Sequence, residues 1–171
     1  MDLAGNVEAV GSTVTRFQPG DEVFGWTDGG SYAEYACAPE DHFAPKPSNL
    51  SVAQAAAVPI SGFAALQALG DVGQVQAGEE VLVIGAAGGV GSFAVQLAKA
   101  FGAQVTRVCS PAQVELVRSI GADDGGRLHP RGRHRRVAPL GSDRGHRGPP
   151  PFPVPAAAGP RPKGDAGDPR Q

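Results

Sequence analysis

Residues 80 to 101 hold the feature that most restricts what this chain can become. Glu80-Val81-Leu82-Val83-Ile84 is an unbroken, β-branched apolar run, the pattern of a strand buried on both faces of a parallel sheet. It passes directly into Gly85-Ala86-Ala87-Gly88-Gly89-Val90-Gly91. A helical stretch follows from Ser92 to Phe101, where Phe93, Val95 or Gln96, Leu97 and Ala100 can share one face. Gly102 stands where a C′ residue would close that helix. The unit then repeats, with a second strand over Gln104–Cys109 and a second helix over Gln113–Ile120 stopped by Gly121. A β–α–β–α order with short loops predicts an α/β class and the beginning of a doubly wound parallel sheet. Two strands alone are too few for an independently stable sheet.

Set against G-x-G-x-x-G, the glycine cluster places Ala86, Gly88 and Gly91 at the three key positions. The second must lack a side chain so that backbone N–H groups can approach a pyrophosphate. The third lets helix and strand pack closely, and the helix start, with Gly89 and Val90, offers unpaired N–H groups and partial positive charge. These five residues are the candidate dinucleotide-binding set. A mere packing turn has little need for four glycines in seven residues. An acid at the end of the second strand would hold a ribose 2′-hydroxyl and favour NAD. Here the chain reads Val108-Cys109-Ser110, with no acid. Ser110 could donate to a 2′-phosphate with Arg107 or Arg118 nearby, so NADP(H) is favoured. Ser110 also suits the N-cap of the helix beginning near Pro111, and both roles are compatible.

The N-terminal third has a different texture. Asn6–Thr15, Glu22–Gly25 and Ser31–Ala38 read as short strands separated by turns at Pro19-Gly20 and Asp28-Gly29-Gly30. Turn signals at intervals of about ten residues predict a small β-barrel or sandwich. Pro19-Gly20 fits the centre of a type II turn, with Asp21 and Glu22 serving it. Prolines at 45, 47 and 59 bracket a connection containing a helix over 51–57 capped by Ser51, and a second helix spans about Gly62 to Leu69. Cys37 and Cys109 are too few for a disulfide framework or a four-ligand zinc site. Both are expected to be buried reduced thiols, weakly favouring a cytoplasmic location. No apolar run approaches the ~20 residues a bilayer demands, and MDLAGNVEAVG has no basic n-region or apolar h-region.

With these segments in order, the chain resembles the medium-chain dehydrogenase/reductase superfamily, in its zinc-independent quinone oxidoreductase-like and enone reductase-like branch. The resemblance runs from Asp2 to about Asp124. It rests on DLAGNVEAVG, FQPGDEVFG, GSYAEYA, AAAVPISGFAALQAL, VQAGEEVLVIGAAGGVGSFAVQLAKAFGAQVT and VCS…SIGAD. It implies a partial GroES-like domain over residues 1–58 and a partial Rossmann NADP-binding domain over 59–124. Hydride would pass from NADPH to a quinone, enone or other activated carbonyl, often in a homodimer. An alcohol dehydrogenase-type or enoyl reductase member of the same superfamily is the alternative. No zinc is expected: Trp26-Thr27-Asp28-Gly29-Gly30 runs on where zinc-dependent members carry a cysteine-rich lobe, and no Cys falls in the Ala57–Gly62 segment. Ala64 stands where the family often has a threonine near the nicotinamide. The family's first barrel strands would precede Asp2. No catalytic residue is assigned; His42, Tyr32 and Tyr35 are candidate general acids, each better explained as structural.

Charge separates the remainder. Residues 1–124 sum to −9 and residues 125–171 to +7, although the whole chain is −2. The final 47 residues contain 28 Pro, Gly or Arg and a single aromatic, too little apolar surface to offset ordering entropy. A disordered tail is therefore expected. If Arg127–Arg133 is encoded CGA CTA CAC CCG CGA GGA CGT, omitting the first base yields D-Y-T-R-E-D, a segment resembling the family's next strand. Out-of-frame translation beyond about residue 124, leaving a truncated and inactive enzyme with an exposed apolar sheet edge, is the expectation. The other reading is a genuine basic tail that binds nucleic acid electrostatically, although it lacks interleaved aromatics for stacking. The partner expected is a small-molecule carbonyl or quinone, rather than nucleic acid or membrane.

Overall fold

A computed structural model describes residues 1–123 and the backbone of Arg135–Val137. The expectations for the rest of the tail lie outside the described residues. Two three-stranded sheets form. The first is antiparallel, in the order β1 (Asp2–Asn6), β2 (Glu22–Trp26), β3 (Phe43–Pro45), with Leu3 opposite Gly25 and Phe24 opposite Ala44. Two helices follow, α1 (Val52–Ala55) and α2 (Pro59–Leu66), the latter continuing as a π-helical turn over Gln67–Val72. The second sheet is parallel and begins with β4 (Glu80–Ile84). From there the chain passes through α3 (Gly89–Ala100) to β5 (Gln104–Val108), then through α4 (Val114–Ser119) to β6 (Arg135–Val137). Its strand order is β5-β4-β6.

The α/β class and the strand–helix alternation agree with the sequence reading, and β4 has the predicted bounds. Ser51 caps α1 through a reciprocal capping box: its Oγ accepts the Gln54 N–H and the Gln54 side chain accepts the Ser51 N–H. The Gln18-Pro19-Gly20-Asp21 turn is type II. Gly20 has φ of +95°, the Asp21 N–H reaches the Gln18 carbonyl at 3.1 Å, and the Asp21 carboxylate accepts the Gln18 N–H at 2.9 Å. Gly102 and Gly121 close α3 and α4 with φ of +83° and +110°.

Five expectations change. Asn6–Thr15 contributes only Asn6 to a strand. The Val7 N–H still bonds to the Asp21 carbonyl at 2.9 Å, but farther on the Thr15 and Arg16 N–H groups turn to the Glu40 carboxylate. Ser31–Ala38 forms no strand, and Tyr32 and Tyr35 are exposed. Strand propensity reflects fit to a half-buried pleated surface, and no described strand lies alongside to supply one. Cys37 is therefore exposed and Cys109 half-buried, rather than both buried. Glu22 serves no turn. It pairs at 3.3 Å with Lys46, whose buried Nζ also donates to the Leu50 carbonyl at 2.7 Å. Lastly, the tail reading expected no regular structure, yet Arg135–Val137 pairs in parallel with Val81–Val83. The far side of β4 otherwise presents a row of unpaired backbone groups, which a third strand satisfies regardless of its side chains.

The core lies between the parallel sheet and its helices. Val81, Val83 and Val105 of the sheet form one cluster with Ala65 and Leu69 and with Ala94, Val95, Ala98 and Val117. Each buried valine or leucine contributes up to about 1.5–3 kcal/mol by leaving water. The buried stripe of α3 is Ala94, Val95 and Ala98, with Phe93 and Leu97 at its margins. Gln96 and Ala100 face outward, because the small alanines bring the helix closest to the sheet.

Asp123 fastens the end of this unit. Its carboxylate accepts the Val105 N–H at 2.6 Å and both oxygens meet Lys99 Nζ at 2.9 and 3.0 Å. The Val105 N–H, opposed by partial burial and aided by Lys99, holds the Asp123 carboxyl below the ordinary value of 3.8. A depressed folded-state value means that its stabilisation is complete above the unfolded value and disappears as pH falls through the folded one. Asp123→Asn is expected to cost about 1 kcal/mol at neutral pH, kept small because the side chain is 46% exposed. In denaturant titrations the gap between the variant and the parent should close below about pH 4; a gap that persists there contradicts this account.

Candidate functional site

The glycine cluster forms the turn between β4 and α3. Gly85 has φ of +75°, a conformation that costs other residues about 1–2 kcal/mol. The left-handed residue is thus Gly85, one position before the motif's first place, which explains why Ala86 can stand there: Ala86 is fully buried and has no positive φ. The N–H groups of Gly85 and Ala86 both reach the Val108 carbonyl, at 2.9 and 3.1 Å, tying the turn to the end of β5. The Gly88 N–H returns to the Gly85 carbonyl at 2.9 Å.

Gly91 sits where α3 crosses this turn. A Cβ there would lie 2.1 Å from the Gly85 carbonyl oxygen and 2.9 Å from Ala86 Cα, so only glycine allows the approach. Gly88 is different. It is exposed, its φ is an ordinary −78°, and an added Cβ would meet only the Gly85 oxygen at 3.3 Å. Gly88 is the N-cap, and the first backbone bond of α3 runs from the Ser92 N–H to the Gly88 carbonyl at 2.9 Å. The N–H groups of Gly89, Val90 and Gly91 therefore have no partner among the described residues. Gly88 and Gly89 are exposed and Val90 half-buried, so these donors stand at an open surface at the carboxyl end of β4. Together they form a cradle for an anion, with the helix dipole adding to it.

Ser110 lies exposed just beyond β5, near the turn because Val108 holds the turn. Its hydroxyl donates to Gln113 Oε1 at 2.9 Å and makes no cap bond to the backbone. The arginines expected nearby are engaged elsewhere. Arg107 donates to the Asp123 carbonyl at 2.6 Å and Arg118 pairs with Glu115 at 2.8 Å. The general-acid candidates are not gathered at the turn. His42 stacks on Trp26 with ring centroids 3.6 Å apart and its Nδ1 is buried without a partner among the described residues. Tyr35 lines an open groove of about 330 Å³ with Leu3, Phe17 and Val23, and no residue of the glycine turn borders that groove.

One anchor escaped the sequence reading. The Asp2 carboxylate accepts the Ile60 N–H at 2.7 Å, capping the first turn of α2, whose own N-cap residue Val58 supplies no side-chain bond. A cap supplied 58 residues away leaves no local pattern to detect.

Comparison with known proteins agrees with this architecture. Residues 1–48 match the family described as alcohol dehydrogenase GroES-like domain. The chloroplast envelope quinone oxidoreductase homolog of Arabidopsis thaliana is 42% identical over 131 residues, covering 72% of this chain and 40% of that protein. The mitochondrial NAD(P)H oxidoreductase RTN4IP1 of Homo sapiens is 40% identical, covering 72% of this chain and 33% of its own length. A crystal structure of an alcohol dehydrogenase superfamily protein from Novosphingobium aromaticivorans superposes with a TM-score of 0.69 at 42% identity, over 71% of this chain and 38% of that one. Over 71–72% of its length the chain resembles the medium-chain dehydrogenase/reductase superfamily. It spans 33–40% of these two curated relatives. Among the described residues no helix is long and apolar enough to cross a membrane.

Proposed function

We propose that this chain is the cofactor-binding part of an NADP(H)-dependent, zinc-independent reductase of quinones, enones or related activated carbonyls. The observation that carries the reading is the glycine cradle. Gly91 permits the closest approach of α3 to the turn, Gly88 leaves its outer side open, and three unpaired N–H groups converge there. Ala86, Gly88, Gly89, Val90 and Gly91 would hold the pyrophosphate, and Ser110 the adenosine ribose. When bound, the dinucleotide supplies the hydride. The chain's own residues bind and orient it: the turn fixes the phosphates, and the bonds to Val108 set the distance between the phosphate cradle and Ser110. The NADP preference is supported by the lack of any carboxylate at Val108-Cys109-Ser110, because an acid there would repel a 2′-phosphate. The zinc-free reading rests on the absence of cysteine from both segments where zinc-dependent members place it. The substrate class rests on relatives named as quinone oxidoreductases.

Binding is the direct test. Titrating the full chain with NADPH and with NADH at fixed ionic strength, followed by cofactor fluorescence, is expected to show NADPH bound at least about tenfold tighter. Equal or tighter NADH binding overturns the NADP preference. Binding of neither overturns the cofactor reading.

A further inference from the structure

We infer that Ser61 is a second hydroxyl donor to the dinucleotide, acting on its pyrophosphate–nicotinamide half; this rests on the cofactor reading above. Ser61 lies in the first turn of α2, whose packing against α3 brings Gly62 within 3.8 Å of the Phe93 ring, measured from a Cβ position on Gly62. The same packing sets the Ser61 hydroxyl against Gly89 at the start of α3: Ser61 Oγ is 3.1 Å from where a Cβ on Gly89 would stand. It is the only side-chain atom, with its own Cβ at 4.0 Å, that meets that position.

The hydroxyl also has nothing else to do. Ser92 and Ser119, the other described helical serines, bond back to the carbonyls of Gly89 and Leu116, at 2.9 and 2.7 Å. Ser61 Oγ makes no hydrogen bond among the described residues and is half-buried. A half-buried hydroxyl without a partner among the described residues stands beside Gly89, the first of three residues whose N–H groups also lack one, and an anionic ligand held by those groups would give it an acceptor. Ser110 belongs to the other end of the turn, beyond β5. The two hydroxyls therefore divide the ligand: Ser110 faces the adenosine ribose, and Ser61 the phosphates and the nicotinamide half. Ser61 is a positioning residue here, holding the cofactor without taking part in bond making.

The test compares two ligands on the full chain. NADPH contains both halves, whereas adenosine 2′-monophosphate has the adenosine end and no pyrophosphate. Ser61→Ala is expected to weaken NADPH roughly tenfold, the worth of one hydrogen bond to a charged group. Its affinity for adenosine 2′-monophosphate and its melting temperature should not change. Ser61→Thr, which keeps a hydroxyl, is expected to retain NADPH affinity. Unchanged NADPH binding by Ser61→Ala, an equal loss for both ligands, or the same loss in Ser61→Thr overturns the inference. Failure of the unaltered chain to bind NADPH overturns the cofactor reading and this inference with it, which separates the two failures.

Discussion

Gly91→Ala is expected to destabilise the chain by about 3 kcal/mol, lowering its melting temperature by roughly 10 °C, and to abolish dinucleotide binding. The added Cβ would lie 2.1 Å from the Gly85 carbonyl oxygen. That neighbour is backbone, and no rotamer change can move it. Either α3 retreats from the turn or the Gly85 peptide rotates. Retreat opens the interface where Ala94, Val95 and Ala98 meet Val81, Val83 and Val105. Rotation breaks the 2.9 Å bond from the Gly88 N–H to that oxygen. Both cost stability and displace the three N–H groups at the start of α3. Thermal unfolding followed by circular dichroism checks the first part, and a melting temperature within about 2 °C of the parent would mean that the close approach does not exist.

Gly88→Ala is expected to separate binding from folding. Its φ of −78° suits any residue and its only new contact is 3.3 Å, so stability should change by no more than about 0.5 kcal/mol. Its methyl group would project beside the unpaired N–H groups. There it holds a pyrophosphate off, and NADPH should bind about a hundredfold more weakly, the loss of roughly 3 kcal/mol of charge-assisted hydrogen bonding. The paired experiment is decisive because the two glycines are neighbours in one turn yet constrained differently. Gly91→Ala should impair both properties and Gly88→Ala only one. If Gly88→Ala binds NADPH as the parent does, the cradle is not the cofactor site.

The parts of the fold that could be read from the sequence share one property: their signals are local. The β4 run announces itself because a strand covered on both faces needs an unbroken apolar series. Ser51 and Gln54 declare a capping box within a single helical turn. Gly20, Gly102 and Gly121 stand where positive φ is needed. Of the candidate site, Gly88 and Gly91 could be assigned distinct roles from their places in a strand–turn–helix. The readings that failed depended on what lies next to a segment. Ser31–Ala38 alternates like a strand, but no described neighbour completes its ladder. Arg135–Val137 has no strand-like composition, yet it pairs because the edge of β4 offers hydrogen bonds that ignore side-chain identity. Cys37 is exposed for the same reason that its segment is not a strand.

Sequence by itself was sufficient for the α/β unit and for the strand, glycine turn and helix that follow one another from Glu80 to Ala100. Backbone hydrogen bonding and hydrophobic period are written into consecutive residues. Only the tertiary structure decided which groups remain available around that turn. It commits Arg107 to Asp123 and Arg118 to Glu115, removes His42 into a stack on Trp26, brings Asp2 to cap α2, and leaves the Ser61 hydroxyl beside Gly89 without a partner among the described residues. Those outcomes depend on contacts between residues up to 58 positions apart. A side chain's freedom to bind a ligand is set by the neighbours that packing supplies, and no local pattern encodes them.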